Sequence, residues 1–332
     1  MQKITREVLV EKAVSLMNEG VVSAVLGWKK GEFAYDVTPA LFTTVKDFEE
    51  QFVFGDFCGA NFSKYLVAQT RKNEGKILVF LKPCDTYSFN QLLTEHRFDR
   101  EKVYAVGIPC EGMADVSKVK AAAGEGITAI ESTENGLSVE TLYADAPVVI
   151  AYEEALAERC VNCKSKKHVA YDELIGEEGE VLESGRFDEV ARLEAMSPDE
   201  RFAFWQKELS KCIRCNACRD VCPACTCEKC VFNNPTSGAE TKAPMGDFEE
   251  KMFHIIRAFH VAGRCTDCGE CSRVCPQDIP LHLLNRKFIK DINTHYGEYQ
   301  AGAEVGSRAP LVNYTTEDVE PCDVFERGGD NA

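Results

Sequence analysis

Seven cysteines fall within nineteen residues, in CIRCNACRDVCPACTCEKC (212–230). Thiolates are soft ligands, and the first four stand at C-x2-C-x2-C-x3-C-P. That spacing wraps an iron–sulfur cubane with three cysteines and sends the fourth to a neighbouring cluster. A second run, CTDCGECSRVCP, repeats the spacing at Cys265, Cys268, Cys271 and Cys275. Crossed ligation assigns Cys212, Cys215, Cys218 and Cys275 to one [4Fe-4S] cluster, and Cys265, Cys268, Cys271 and Cys222 to a second. Zinc is the competing chemistry. Its structural sites pair two C-x2-C knuckles across a longer loop and often enlist histidine, whereas neither run contains His and both end in Cys-Pro.

Cys225, Cys227 and Cys230 are surplus to that scheme. As C-x-C-x2-C they offer three thiolates on a short loop, and Cys58, in FGDFCGAN, is the expected fourth ligand of a fourth cluster. The alternative is that the three are packed thiols shielding their neighbour. Cys84 and Cys110 each follow a proline just past an apolar run, in LKPCD and GIPCEG, and Cys160 and Cys163 form CVNC. The carboxyl ends of parallel strands share one edge, where ligands gather, so these four thiols are expected to hold a third cluster. Buried cysteines that act as small hydrophobes are the alternative. No Ser-His-Asp or Cys-His arrangement can be assembled, and no G-x-G-x-x-G follows a strand, so no catalytic residue is assigned. His254 and His260 read as core or surface histidines. Lys164, Lys166 and Lys167 read as a solvated face that could also meet an anionic flavin phosphate or a partner.

These ligands need elements to carry them. KILVFLKPCD (76–85), TYSFNQLLTEHRF (86–98) and KVYAVGIPCEG (102–112) read as strand, helix and strand, a βαβ unit with parallel strands. Upstream, 21–30 and 32–39 read as strands joined by a Gly-containing turn, and 61–72 as a helix. Ser197-Pro198-Asp199-Glu200 is a capping box opening a helix with Phe202, Trp205 and Leu209, which delivers the chain to Cys212. Between the cysteine runs Phe248, Met252, Ile255, Ile256 and Phe259 recur at helical intervals, with Asp247 and Glu250 as N-terminal caps and Gly263 closing the helix. The expected fold is an α/β domain (1–196), an all-α dicluster ferredoxin-like domain (197–300) and an acidic tail (301–332), a flexible or docking segment that contains Cys322. The glutamate- and glycine-rich stretch 176–189 precedes the boundary.

Composition narrows the function. Among 332 residues, 54 acidic against 38 basic side chains leave a formal charge of −16, which excludes attraction to nucleic acid or an anionic membrane. No signal-like or membrane-spanning run is found, so a cytoplasmic protein without membrane insertion is expected. In that compartment 17 cysteines read as metal ligands rather than disulfides.

The stretches KPCDTYSFNQLL, YAVGIPCEGM, CVNCKSKKHVAYDELIG, KCIRCNACRDVCP and RAFHVAGRCTDCGECSRVCPQDIPLHLLNRK resemble the beta-subunit family of deazaflavin-coenzyme-reducing hydrogenases and formate dehydrogenases. The likeness is to its bacterial branch, associated with heterodisulfide-reductase-like complexes, and spans about residues 60–290. The second half is similar to the α-helical dicluster ferredoxin modules of heterodisulfide reductase and succinate dehydrogenase. The resemblance implies an iron–sulfur subunit of an anaerobic complex, carrying electrons between a flavin or another cluster protein and a partner. That partner would be a heterodisulfide-reductase-like flavoprotein, a hydrogenase or a formate dehydrogenase. Family members active on deazaflavin generally place the ferredoxin module first; here the order is reversed, which leaves flavin and deazaflavin open. The alternatives are a flavoprotein reductase whose α/β domain binds FAD and a zinc-stabilised scaffold.

Overall fold

The computed structural model describes residues 4–165, 167–180, 185–233 and 247–310, without the side chains of 247–250. Lys166, Cys322 and the tail beyond 310 therefore lie outside the described residues, as do the side chains of Asp247, Phe248 and Glu250. The first half runs through α1 (Arg6–Asn18), β1 (Ala24–Lys30), β2 (Val37–Phe42), α2 (Val45–Gln51), α3 (Ser63–Lys72), β3 (Ile77–Leu81), α4 (Pro83–Thr94) and β4 (Val103–Gly107). It continues with α5 (Val116–Ala123), β5 (Ile127–Thr133), β6 (Gly136–Thr141), β7 (Val148–Ile150), the single turns α6 (Tyr152–Ala155) and α7 (Glu158–Val161), and β8 (Glu173–Leu174).

Strands β1, β3, β4 and β8 run parallel, with β2 antiparallel on the edge, in the order β2-β1-β3-β4-β8. Strand β3, Ile-Leu-Val-Phe-Leu, is buried at every residue, as a central parallel strand covered on both faces must be. The expected βαβ unit is β3, α4 and β4, in register from Ile77 opposite Val103 to Leu81 opposite Gly107. Trp28, Phe48, Phe52, Phe62, Phe80 and Phe89 are buried in the core. Gly27 is needed where β1 passes Phe52, since a Cβ there would come within 2.9 Å of the ring.

A second sheet, β5-β6-β7, is antiparallel and was not expected from the sequence. It packs Leu137, Val139 and Ile150 against Val119 and Ala155. Its hairpin turns at Glu134-Asn135, where Gly136 takes φ +138°.

The second half contains α8 (Asp188–Glu194), α9 (Pro198–Leu209), α10 (Ala217–Asp220), α11 (Asp247–Val261), α12 (Glu270–Arg273) and α13 (Leu281–Tyr296). Beyond Leu174 the described residues contain no strand. The capping box is present: Ser197 Oγ accepts from the Glu200 N–H, and the Glu200 carboxylate accepts from the Ser197 N–H at 2.9 Å. Leu209 is buried at the end of that helix, while Phe202 is exposed under Lys251. No described helix is long and apolar enough to cross a membrane.

The start of the tail differs from a free acidic segment. Gly302, at φ +75°, passes so close to α4 that a Cβ would lie 1.8 Å from the Tyr87 carbonyl oxygen. The Gly306 N–H donates to Thr94 Oγ1 at 2.9 Å. Residues 301–306 are thus packed against the α/β domain.

Candidate metal centre

The two cysteine runs share one backbone. Arg214 and Asn216 have φ of +56° and +64°, and Asp267 and Gly269, at the equivalent places of the second run, have +62° and +67°. Three of these four residues carry a Cβ, which in the left-handed region costs roughly 1 kcal/mol or more each. Repeating that strain in both runs gives alternating right- and left-handed turns, which aim successive N–H groups into an anion-binding concavity. The Arg214 N–H points at Cys212 Sγ at 3.4 Å. Each loop then enters a one-turn helix, α10 or α12, and the two turns pack together.

Cys212, Cys215, Cys218 and Cys275 line a single cavity with Phe253, His254 and Ile279, open to the surface at Cys215. His254 is buried, and neither ring nitrogen has a partner among the described residues. Burial, then Arg257 and Arg214, brings its pKa down to about 3, so the ring is neutral. An orphaned imidazole beside four thiols fits a group that accepts hydrogen bonds, as cluster sulfides and thiolates do. For the second set, Cys222 acts electrostatically on Cys265, Cys268 and Cys271. Burial above all pushes these thiols up, Cys271 to about 12. Asn285 Nδ2 lies 3.7 Å from Cys271 Sγ. Asp267 holds this loop, accepting from Arg186 Nε at 2.8 Å and Arg286 Nε at 3.0 Å.

In the α/β domain, Cys84, Cys110, Cys160 and Cys163 line one cavity together. Cys84 stands in the first turn of α4 after Pro83, Cys110 lies past the end of β4, and Cys160 is in α7. Burial raises Cys84 far above the usual thiol range and pushes Cys110 up to about 12. Such thiols keep their protons until a metal displaces them. Lys82 beneath them is fully buried, paired with Asp85 at 2.8 Å and donating to the Ala60 carbonyl at 2.9 Å. Asp267 and Cys268 line the same cavity, so the second and third thiol sets share a wall.

Among the described residues no three His, Cys, Asp or Glu side chains converge on one ion.

Cys58 is not where the fourth-cluster expectation needs it. It is 1% exposed, with Sγ 3.8 Å from the Val53 carbonyl oxygen, and lines a cavity with Phe54, Ile130 and Leu137. Burial pushes its thiol up to about 12, as for a packed hydrophobe. Cys225, Cys227 and Cys230 line a different cavity. The aromatic packing around β1 draws Cys58 inward, away from that loop. Lys164 pairs with exposed Glu298 at 3.4 Å and Lys167 is exposed, the solvated face expected of them.

Two charged residues were missed. Arg159, beside Cys160, donates to the Cys268 carbonyl at 2.9 Å, to the Gly59 carbonyl at 3.1 Å and to Glu270 at 2.5 Å. Glu270, between Cys268 and Cys271, also binds Arg273 at 2.7 and 2.8 Å and accepts the Asn61 N–H at 3.2 Å. The available signal was a charge next to a motif cysteine in each case; their pairing across 111 residues had none.

Residues 208–279, spanning both cysteine runs, match the 4Fe-4S dicluster domain family. The chain is an iron–sulfur electron-transfer protein. Over 356 aligned residues this iron–sulfur protein is 25% identical to the F420-dependent formate dehydrogenase subunit beta of Methanocaldococcus jannaschii, covering 90% of this chain and 92% of that one. It is 23% identical to the F420-dependent formate dehydrogenase 1 subunit beta of Methanococcus maripaludis, covering 89% and 92%. The solved F420-reducing [NiFe] hydrogenase complex of Methanosarcina barkeri, in a xenon derivative, aligns over 47% of this chain and 58% of that one at 18% identity, with a TM-score of 0.37. The dicluster match and the two formate dehydrogenase subunits support the beta-subunit resemblance drawn from the motifs.

Proposed function

We propose that this chain is the electron-transfer subunit of a multisubunit cytoplasmic oxidoreductase, an all-α dicluster module seated on an α/β domain. Three [4Fe-4S] clusters would be held by Cys212, Cys215, Cys218 and Cys275; by Cys265, Cys268, Cys271 and Cys222; and by Cys84, Cys110, Cys160 and Cys163. Bound there, such clusters supply one-electron transfer. The observation that carries the reading is the shared cavity of Cys84, Cys110, Cys160 and Cys163, from three separate segments, with Cys268 of the dicluster run in its wall. The other residues prepare these sites. The cores of both halves exclude water, Lys82 and Arg159 set positive charge beside the thiols, and Asp267 fixes the loop between two arginines. By likeness to the two beta subunits, the partner is a formate dehydrogenase or hydrogenase catalytic subunit, or a heterodisulfide-reductase-like flavoprotein.

The test is anaerobic purification of the native complex. The expected protein is brown, carries at least about twelve irons for three cubanes, and has clusters that a redox partner copurifying with it reduces. A colourless chain, or one whose clusters no copurified subunit reduces, would refute the reading.

A further inference from the structure

The thiols left over from three clusters sit in a site of their own. Cys225, Cys227 and Cys230 line a cavity of about 580 Å³ with Lys64, Arg257 and His260. The loop that carries them is pinned to the α/β domain: Lys64 Nζ donates to the Cys225 carbonyl at 2.5 Å, and Arg97 to the Thr226 carbonyl. Arg264, on the same wall, is held by Glu95 at 2.6 and 2.8 Å.

Charge and unused hydrogen-bonding capacity both point to an occupant. Arg257 is 5% exposed; it donates to the Cys218 carbonyl at 3.1 Å and reaches Cys225 Sγ at 4.0 Å, while its Nε has no partner among the described residues. Of the two carboxylates of the wall, Asp220 pairs with Arg219 on the same wall at 2.9 Å and Glu228 with Arg71 at 3.7 Å. Lys64 has Asp220 nearby, but Arg257 faces the thiols with no carboxylate of its own among the described residues. As neutral thiols these would leave Arg257 unbalanced; as metal-bound thiolates they would balance it. His260, at the exposed rim of the cavity, makes no side-chain hydrogen bond among the described residues and lies 6.4 Å from the ring of Phe232.

We propose that Cys225, Cys227, Cys230 and His260 hold a fourth [4Fe-4S] cluster. Iron–sulfur centres accept imidazole in place of thiolate, and His260 on this wall offers a ligand nitrogen that no described side chain engages. The Cys225 N–H donates to the Cys222 carbonyl at 3.1 Å, so the fourth site adjoins the second. Cys227 is exposed, which puts this end of the series at the surface, where a partner protein can exchange electrons.

The full chain, reconstituted anaerobically with ferrous iron and sulfide, tests this apart from the third site, because the readout is a difference. Replacing Cys225, Cys227 and Cys230 together by Ser should remove about four irons and leave the other paramagnetic signals unchanged. An unchanged iron count overturns the proposal, whether the parent holds about twelve or about sixteen. Should that variant not fold, the nitrogen ligand is read directly. Pulsed electron paramagnetic resonance of the reduced parent should show strong 14N coupling on one cluster, lost in His260→Cys with iron retained. No such coupling in the parent, or its persistence in His260→Cys, refutes the assignment of His260.

Discussion

Replacing Glu270 by Gln would take the negative charge out of a buried knot that ties the two halves of the chain. Glu270 is fully buried and meets Arg159 at 2.5 Å, Arg273 at 2.7 Å and the Asn61 N–H at 3.2 Å. Burial alone would raise its pKa, but Arg273 and Arg159 outweigh burial and hold it at about 2, against the ordinary 4.5. By linkage that gap corresponds to about 3 kcal/mol. The folded pKa is depressed, so this stability is fully present above about 4.5 and is lost as pH falls from there towards 2. Removing one partner of a buried pair independently costs roughly 3–5 kcal/mol. Arg273 is partly exposed and can turn to water, while Arg159 cannot, which places the expectation at the lower end, about 3 kcal/mol. At roughly 2–4 °C per kcal/mol, the melting midpoint of the anaerobically reconstituted protein should drop by about 6–12 °C at neutral pH, followed by circular dichroism. A drop under about 2 °C would refute the reasoning. An Arg159→Met/Glu270→Met double variant should recover part of the loss, because no uncompensated guanidinium remains in the closed part of the knot.

Crossed ligation predicts that Cys275→Ser damages the cluster of Cys212, Cys215 and Cys218 in electron paramagnetic resonance; loss of only the Cys265 set would show ligation within each run. Cys84→Ser and Cys110→Ser should each lower the iron content by about four, and full iron in both would return these residues to packed thiols. Gly302→Ala introduces a Cβ against the Tyr87 carbonyl at a left-handed position, so it should free residues 301–306 from α4 and raise their hydrogen exchange; unchanged protection would mean the segment is not seated there.

The sequence carried those parts of the site whose chemistry is local. The dicluster spacing, the Ser197 capping box and the Pro-Cys steps at the ends of β3 and β4 are each written in a few consecutive residues, and the expected elements stand at those places. The β5-β6 hairpin was also locally marked, by Asn135-Gly136 between β-branched runs, but β5 is half exposed and does not alternate cleanly, so its period was weak. Cys58 was assigned as a ligand because it was unclaimed and preceded a helix. Its real environment is set by the ring cluster of Trp28, Phe52 and Phe62, which no local pattern reports. The same holds for Arg159 and Glu270: a charged residue next to a metal-type cysteine can be seen in sequence, but its partner depends on how two domains dock.

Net charge and site charge obey different demands. With a formal charge of −16 the surface must be acidic on the whole, yet buried cations stand among the thiols: Lys82 and Arg159 at the third set, Arg257 between the first, second and surplus sets, Lys64 above the surplus loop. Burial above all, with Asp85 beside Cys84, Asp267 beside Cys265 and Glu270 beside Cys268, favours the protonated thiols, which bind no metal. Lys82, near Cys84 and Cys110, and Arg257, near Cys271, act in the opposite direction, favouring thiolate without adding water. A site that must be dry to transfer electrons and anionic to ligate iron needs such cations inside, and each then requires its own holder, which is why Lys82 has Asp85 and Arg159 has Glu270. Arg257 has no such carboxylate among the described residues. The surplus cysteines beside it are the groups placed to supply the missing negative charge.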